Sequence, residues 1–81
     1  MAIIVNKSRN QVIISLNKKF YNYFAIREAL VEFINISGLD LDQDNRSFTI
    51  TLRPKDVELL DVIGYEFCNY LILSMKNKSL V

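Results

Sequence analysis

The sequence predicts a small α+β domain, an open two-layer sandwich in which two helices cover one face of a three-stranded sheet. Three observations predict it: two β-branched runs around a short polar turn, one cleanly alternating strand, and two segments of helical period. The predicted order is strand, strand, helix, strand, helix. At 81 residues and 51% hydrophobic composition, residues 1–81 are expected to form a single domain.

The first two strands are predicted to form a β-hairpin. Residues 1–5 and 11–16 are rich in β-branched side chains, and the polar residues 6–10 between them are typical of a hairpin turn. The second run places Val12, Ile14 and Leu16 on one face. Its other face carries Gln11, Ile13 and Ser15.

The first helix is predicted from Asn22 onward, where the period of the apolar residues changes from two to three and four. Its expected core face comprises Ile26, Ala29, Leu30, Phe33 and Ile34. Gly38 is expected to end this helix in a left-handed conformation. Residues 39–46 are then predicted to be a solvated connection. They contain Asp40, Asp42 and Asp44 but lack the central glycine and terminal glutamate of a calcium loop.

The third strand is predicted at residues 47–53, where apolar and polar side chains alternate. Phe48, Ile50 and Leu52 are expected to point inward, and Thr49, Thr51 and Arg53 outward. Pro54 is expected to end the strand, and Asp56 to cap the second helix.

The second helix has more apolar surface than one sheet covers. One stripe is predicted to pack on the sheet and the first helix: Leu60, Ile63, Gly64, Phe67, Cys68, Leu71 and Met75. A second stripe, formed by Leu59, Val62, Tyr70 and Leu73, is expected to be covered by another chain. The alternative is that the first helix wraps far enough to bury both stripes.

The charge and hydropathy of the chain exclude several classes of partner. A net charge of +1 and a pI near 7.8 are not typical of a nucleic-acid-binding domain. The most apolar stretch, residues 59–75, carries Asp61 and Glu66, so no membrane span or membrane partner is predicted. Residues 1–5 are too short for a signal peptide, and we expect a cytoplasmic protein.

An independent enzyme is not expected from this composition. The sequence has no histidine and one cysteine, so the usual zinc ligands and the usual base of nucleophilic catalysis are missing. We therefore predict no catalytic residue, no metal site and no bound cofactor. Cys68 is interpreted as a small buried hydrophobe. The remaining enzymatic alternative is a metal held by Asp40, Asp42 and Asp44.

Two interaction surfaces are predicted instead. The partner interface is expected on the second helix and comprises Leu59, Val62, Glu66, Asn69, Tyr70 and Leu73. An open sheet accepts an extended peptide as an added strand, so a peptide edge or face is expected near Ile13, Ser15, Thr49, Thr51 and Arg53.

Several short segments resemble the HxsD-like family, small proteins encoded beside radical SAM enzymes that modify ribosomally made peptides. The segments are Val12-Ile-Ile-Ser-Leu, Phe20-Tyr21, Ala25-Ile26-Arg-Glu-Ala29 with Phe33, Ser47-Phe-Thr-Ile-Thr-Leu-Arg-Pro54 and Tyr65-Glu66-Phe67-Cys-Asn69-Tyr70-Leu71. The resemblance extends from about Val12 to Leu73, and its elements are short and mostly hydrophobic.

The resemblance implies an accessory subunit without chemistry of its own, which binds the radical SAM enzyme and helps present the precursor peptide. Glu66 and Asn69 are then the best candidates for contact with the enzyme. A subset of such systems excises a piece of peptide backbone and leaves a β-amino acid. The iron–sulfur cluster and S-adenosylmethionine would belong to the enzyme, because one cysteine cannot hold a cluster. The alternative is a homodimeric structural or regulatory module associated through the second helix.

Overall fold

A computed structural model of the protein describes residues 1–79. The strands are β1 (Ala2–Asn6), β2 (Gln11–Asn17), β3 (Ser37–Gln43) and β4 (Ser47–Pro54). The helices are α1 (Tyr23–Phe33) and α2 (Ile63–Ser79), and a short 3₁₀ turn at Val57–Leu59 precedes α2.

The sheet is antiparallel and has four strands in the spatial order β1-β2-β4-β3, so the α+β prediction holds. The prediction of three strands in the order strand, strand, helix, strand, helix is wrong. The stretch 39–46, interpreted as a solvated connection, contains most of β3, an edge strand paired with β4 from Ser37↔Pro54 to Gln43↔Phe48. Aspartate and glycine are uncommon in strands, which is why its composition predicted a loop.

The first helix begins and ends through different local contacts from those expected. At its start, the Asn22 side chain accepts the N–H groups of Phe24 (2.7 Å) and Ala25 (3.2 Å). At its end, Ile34 caps the helix in a right-handed conformation. Gly38 does not have a positive φ and lies in β3, so its predicted role as a helix terminator is wrong.

The two hairpin turns use polar side chains to hold the backbone. Asn10 ends the β1–β2 turn with a φ of 52°, a left-handed conformation that asparagine tolerates better than most residues. In the β3–β4 turn the Asp44 carboxylate accepts the N–H groups of Arg46 (2.7 Å) and Ser47 (2.8 Å). These two hydrogen bonds lower the pKa of Asp44.

The cap predicted at Asp56 belongs to the 3₁₀ turn and not to the second helix. The Asp56 carboxylate accepts the N–H of Glu58 (2.9 Å), whereas α2 begins at Ile63. The N–H of Glu66 donates to the carbonyl of Val62 (3.0 Å) at the first turn of α2. The chain therefore makes one tight turn before the helix that crosses the sheet.

Both helices pack on the same face of the sheet, as predicted. The alternating residues Val12, Ile14 and Leu16 of β2 are fully buried, and Phe48, Ile50 and Leu52 of β4 are buried beside them. The first predicted stripe of α2 is confirmed as core, with Met75 partly buried at its end. Ile34 was predicted to be core and is instead exposed.

Gly64 allows the close approach of α2 to the sheet. A Cβ atom at this position would lie 3.0 Å from both Val12 Cγ1 and Ile3 Cγ2, closer than side chains normally pack. The two helices then meet through the edge-to-face rings of Phe33 and Phe67, whose centroids are 5.4 Å apart.

The two glycines of the chain are expected to respond in opposite ways to valine. Gly64→Val forces carbon atoms into the space occupied by the buried Val12, and we expect a loss of about 2 kcal/mol in the free energy of unfolding. Gly38→Val adds a Cβ at ordinary contact distance from Arg53 within a strand, so its stability should equal or exceed that of the wild type. Urea denaturation measures both. Equal losses in the two variants would contradict the packing described for Gly64.

The pKa of Asp44, lowered by the N–H groups of Arg46 and Ser47, predicts acid sensitivity of the β3–β4 turn. Because the folded pKa lies below the unfolded one, this stabilisation is complete above the unfolded pKa and is lost as the pH falls through the folded value. We expect Asp44→Asn to lose less stability than the wild type between about pH 5 and pH 2. Urea denaturation across this range tests it, and parallel stability curves for the two proteins would refute it.

Candidate functional site

The face of the sheet opposite the helices carries all five residues of the predicted peptide face. Ile13 lies directly opposite Thr51, and Ser15 opposite Thr49, so the four side chains form two adjacent cross-strand pairs on β2 and β4. Arg53 lies further along β4 and forms an ion pair with Asp40 of β3. The helices cover the other face, and we call this one the outer face.

The strand that sequence reasoning missed extends the outer face with negative charge. Asp40 lies opposite Thr51 and Asp42 opposite Thr49, so both carboxylates continue the rows that start on β2. On the other side, β1 adds Ile4 opposite Ile13, and Ile4 is well exposed. The outer face therefore changes from apolar at β1 to acidic at β3.

The predicted partner interface lies largely on the exposed side of α2. Val62 lies directly before α2, and Glu66, Asn69 and Leu73 lie within it. Their spacing of four, three and four residues places them on one side of the helix, and all four are exposed. We call this surface the α2 outer face. Leu73 is 59% exposed and Val62 is 48% exposed. Its two polar side chains, Glu66 and Asn69, lie between the apolar Val62 and Leu73.

Two other residues of the predicted interface lie elsewhere. Leu59 is in the 3₁₀ turn and packs partly buried against the core. Tyr70 lies in the seam between the helices, with its ring centroid 6.3 Å from that of Phe33. Partial desolvation, followed by the charge of Glu32 and a hydrogen bond to it, raises the pKa of Tyr70. Tyr70 thus joins α2 to α1 in addition to being partly exposed.

A groove lies between α1 and β3, along one edge of the sheet. It has a volume of about 390 Å³, within the range of roughly 300–1,000 Å³ typical of ligand sites. We call it the α1–β3 groove. Its lining consists of Tyr23, Arg27, Leu30, Val31, Ile34, Leu39, Asp40, Leu41 and Gln43. Val31 and Ile34 are 64% and 58% exposed, so the helical wall of the groove is apolar and accessible.

The floor of the groove is the free edge of β3. The N–H of Asp44 donates to the Ser47 carbonyl (3.0 Å), and the N–H of Lys55 donates to the Ile36 carbonyl (2.9 Å). Hydrogen-bonded and non-bonded pairs alternate along an antiparallel ladder. The main-chain groups of Leu39 and Leu41 therefore point away from β4, toward the free edge.

The hydrogen bond of Gln43 is consistent with this alternation. Its N–H faces the same free edge and is accepted by the carboxylate of Asp42 at 2.8 Å. Leu39 and Leu41 are also partly buried against the core on the helix side. The free edge of β3 thus combines the outward-facing N–H and C=O groups of Leu39 and Leu41 with an apolar lining.

The sequence contained a signal for β3, one wall of this groove, that its composition obscured. Leu39 and Leu41 alternate with Asp40 and Asp42, which is the period of a strand with one apolar and one polar face. Ile34 lies at the margin of the apolar stripe of α1, and only the tilt of the helix on the sheet decides whether such a residue is covered.

The three aspartates considered as metal ligands have separate structural roles. Asp40 pairs with Arg53, Asp42 accepts the N–H of Gln43, and Asp44 holds its turn. Across residues 1–79, no group of three or more histidine, cysteine or acidic side chains is arranged to hold a metal ion.

Neither helix within residues 1–79 has the length and hydropathy required to cross a bilayer.

Comparison of the chain with protein-family models, with curated proteins and with solved structures finds no match.

Cys68 is buried in the core, and this burial raises the pKa of its thiol. Since the thiolate is the reactive species, we expect the folded protein to react with an aromatic disulfide reagent at least about a hundredfold more slowly than the urea-unfolded chain. The increase in absorbance of the released aromatic thiolate at pH 8 measures both reaction rates. Comparable rates would show that Cys68 is accessible in the folded protein and would contradict its burial in the core.

Proposed function

We propose that the protein is a non-catalytic accessory subunit that binds a radical SAM peptide-modifying enzyme and helps present a ribosomally made precursor peptide. The nature of the enzyme and of the peptide comes from the resemblance to the HxsD-like family. The surfaces that would perform these two tasks come from the geometry of the chain.

The exposed apolar residues of α2 are the observation that carries the proposal. Leu73 and Val62 lie on the α2 outer face, each four residues from one member of the polar pair, Leu73 from Asn69 and Val62 from Glu66. Exposed large apolar side chains beside polar ones form a surface that a partner protein can bury. This helix packs through its other side, so a partner can cover the α2 outer face without disturbing the core.

The side chains of this protein indicate which tasks it would perform and which the enzyme would perform. A radical SAM enzyme would bring the iron–sulfur cluster and S-adenosylmethionine, since a cluster takes three or four thiolates and this chain has one cysteine, which is buried. The present chain would contribute binding and orientation. Holding a peptide in a reactive geometry accelerates a reaction without any group of the accessory subunit entering the chemistry.

The proposal predicts that the protein co-elutes with a radical SAM enzyme encoded beside it, and that Leu73→Asp weakens the complex by about tenfold or more. A buried carboxylate without a partner opposes association at the centre of an apolar contact. Co-expression followed by affinity purification and size-exclusion chromatography measures the stoichiometry. Titration of the purified components measures the affinity.

Ile4→Asp is the matched control for Leu73→Asp. Ile4 and Leu73 are both 59% exposed, but Ile4 lies on β1 and points to the outer face of the sheet. The control variant should bind the enzyme as the wild type does. Equal binding by all three proteins would exclude the α2 outer face as the interface. A protein that forms only a homodimer, dissociated by Leu73→Asp, would favour the regulatory-module alternative.

A further inference from the structure

We propose that the α1–β3 groove binds an extended peptide as a fifth strand on β3, and that this peptide alternates apolar and basic side chains. This inference deepens the proposed function and rests on it for the identity of the peptide, but not for the site. The edge geometry, the apolar wall and the charges of β3 carry it independently.

The free edge of β3 supplies the main-chain partners. Leu39 and Leu41 direct their N–H and C=O groups away from β4, as the Asp44–Ser47 and Ile36–Lys55 hydrogen bonds establish. An extended segment lying about 4.8 Å away pairs with these four groups. The N–H of Gln43 is already accepted by Asp42, so pairing is centred on the two leucines.

The helix side of the groove selects apolar side chains. Alternate residues of an added strand point toward the helix layer, where they meet Leu39, Leu41 and the exposed Val31 and Ile34 of α1. Arg27 lies at the same wall and is held by the Tyr23 hydroxyl at 3.1 Å. Because Arg27 lies on α1, it adjoins the side chains of the added strand that point toward the helix layer.

The outer side of β3 selects basic side chains. The remaining residues of the added strand lie beside Asp40 and Asp42, both exposed on the outer face. Opposite charges on neighbouring strands stabilise their pairing, whereas like charges directly opposite each other destabilise it. Arg53 partly neutralises Asp40 from the β4 side, which leaves Asp42 as the main determinant.

The same charges disfavour a second copy of the chain as the occupant. If two β3 edges paired antiparallel with their leucines on the helix side, the aspartates of one copy would lie opposite those of the other. The carboxylates thus act against self-association at an edge that is otherwise open.

Three fluorescein-labelled nine-residue peptides test the inference by fluorescence anisotropy at physiological ionic strength. One alternates valine and lysine, one alternates valine and glutamate, and the third is the valine–lysine peptide with an N-methylated backbone. We expect the first to bind at least about tenfold more tightly than the other two, because only it has both the donors and the charges required.

Charge reversal on the protein provides the matched pair of variants. Asp42→Lys should weaken binding of the valine–lysine peptide by about tenfold and strengthen that of the valine–glutamate peptide. Asp61→Lys makes the same charge change at an exposed position before α2 and should leave both affinities unchanged. In addition, the amide NMR signals of Leu39 and Leu41 should shift on binding.

Equal affinity for the lysine and glutamate peptides, equal effects of the two variants, or unshifted Leu39 and Leu41 amides would overturn the inference. So would sedimentation showing self-association of the chain that Asp42→Lys alters and Asp61→Lys does not, because this would place a second copy on β3. Enzyme co-elution is scored separately with the Leu73→Asp variant. A complex without peptide binding refutes only the groove, and peptide binding without a complex refutes only the accessory role.

Discussion

The close contact between Gly64 of α2 and the strands beneath it determines the arrangement of the rest of the domain. With no Cβ at this position, α2 lies against Val12 of β2 and Ile3 of β1, and Phe67 and Leu71 are completely buried. A larger residue would lift the helix and open the core along its length. Since α2 covers the β1–β2 side of the sheet, α1 packs beside it over β4 and β3.

This placement explains where the molecule remains open. Two helices cover one face of a four-stranded sheet, so the outer face and both edges are left to solvent within the described chain. At β1 the edge residues Ile3 and Val5 pack against the core next to α2. At β3, residues of α1 lie beside the edge strand, and a groove forms between the two elements. The two edges of one sheet therefore offer different surfaces.

The surfaces assigned to the enzyme and to the peptide belong to different elements. The first is the exposed side of α2, and the second is formed by α1 and β3. Tyr70 connects the helices that carry them, with its ring against Phe33 and its hydroxyl toward Glu32. In the proposed complex, an enzyme bound to α2 would be connected to a peptide bound at β3 through these two packed helices, an arrangement that would help to position the peptide.

The sequence by itself determined the elements whose pattern is local. Strands β2 and β4 were predictable because alternate residues of a strand point to opposite faces, and their buried residues follow that period. The core stripe of α2 was predictable for the same reason at a helical period. In each of these segments, the spacing of the apolar residues shows which side faces the core.

Only the tertiary structure decided the identity of β3, the exposure of Ile34 and the position of Tyr70. The residues of β3 include a glycine and two aspartates, and their extended conformation depends on pairing with β4 across the turn held by Asp44. Ile34 and Tyr70 lie at the margins of their helical stripes, where burial depends on how the helix is set on the sheet. The groove also depends on how α1 is placed on the sheet. Its two walls belong to α1 and β3, and no pattern within either segment shows that the two lie side by side.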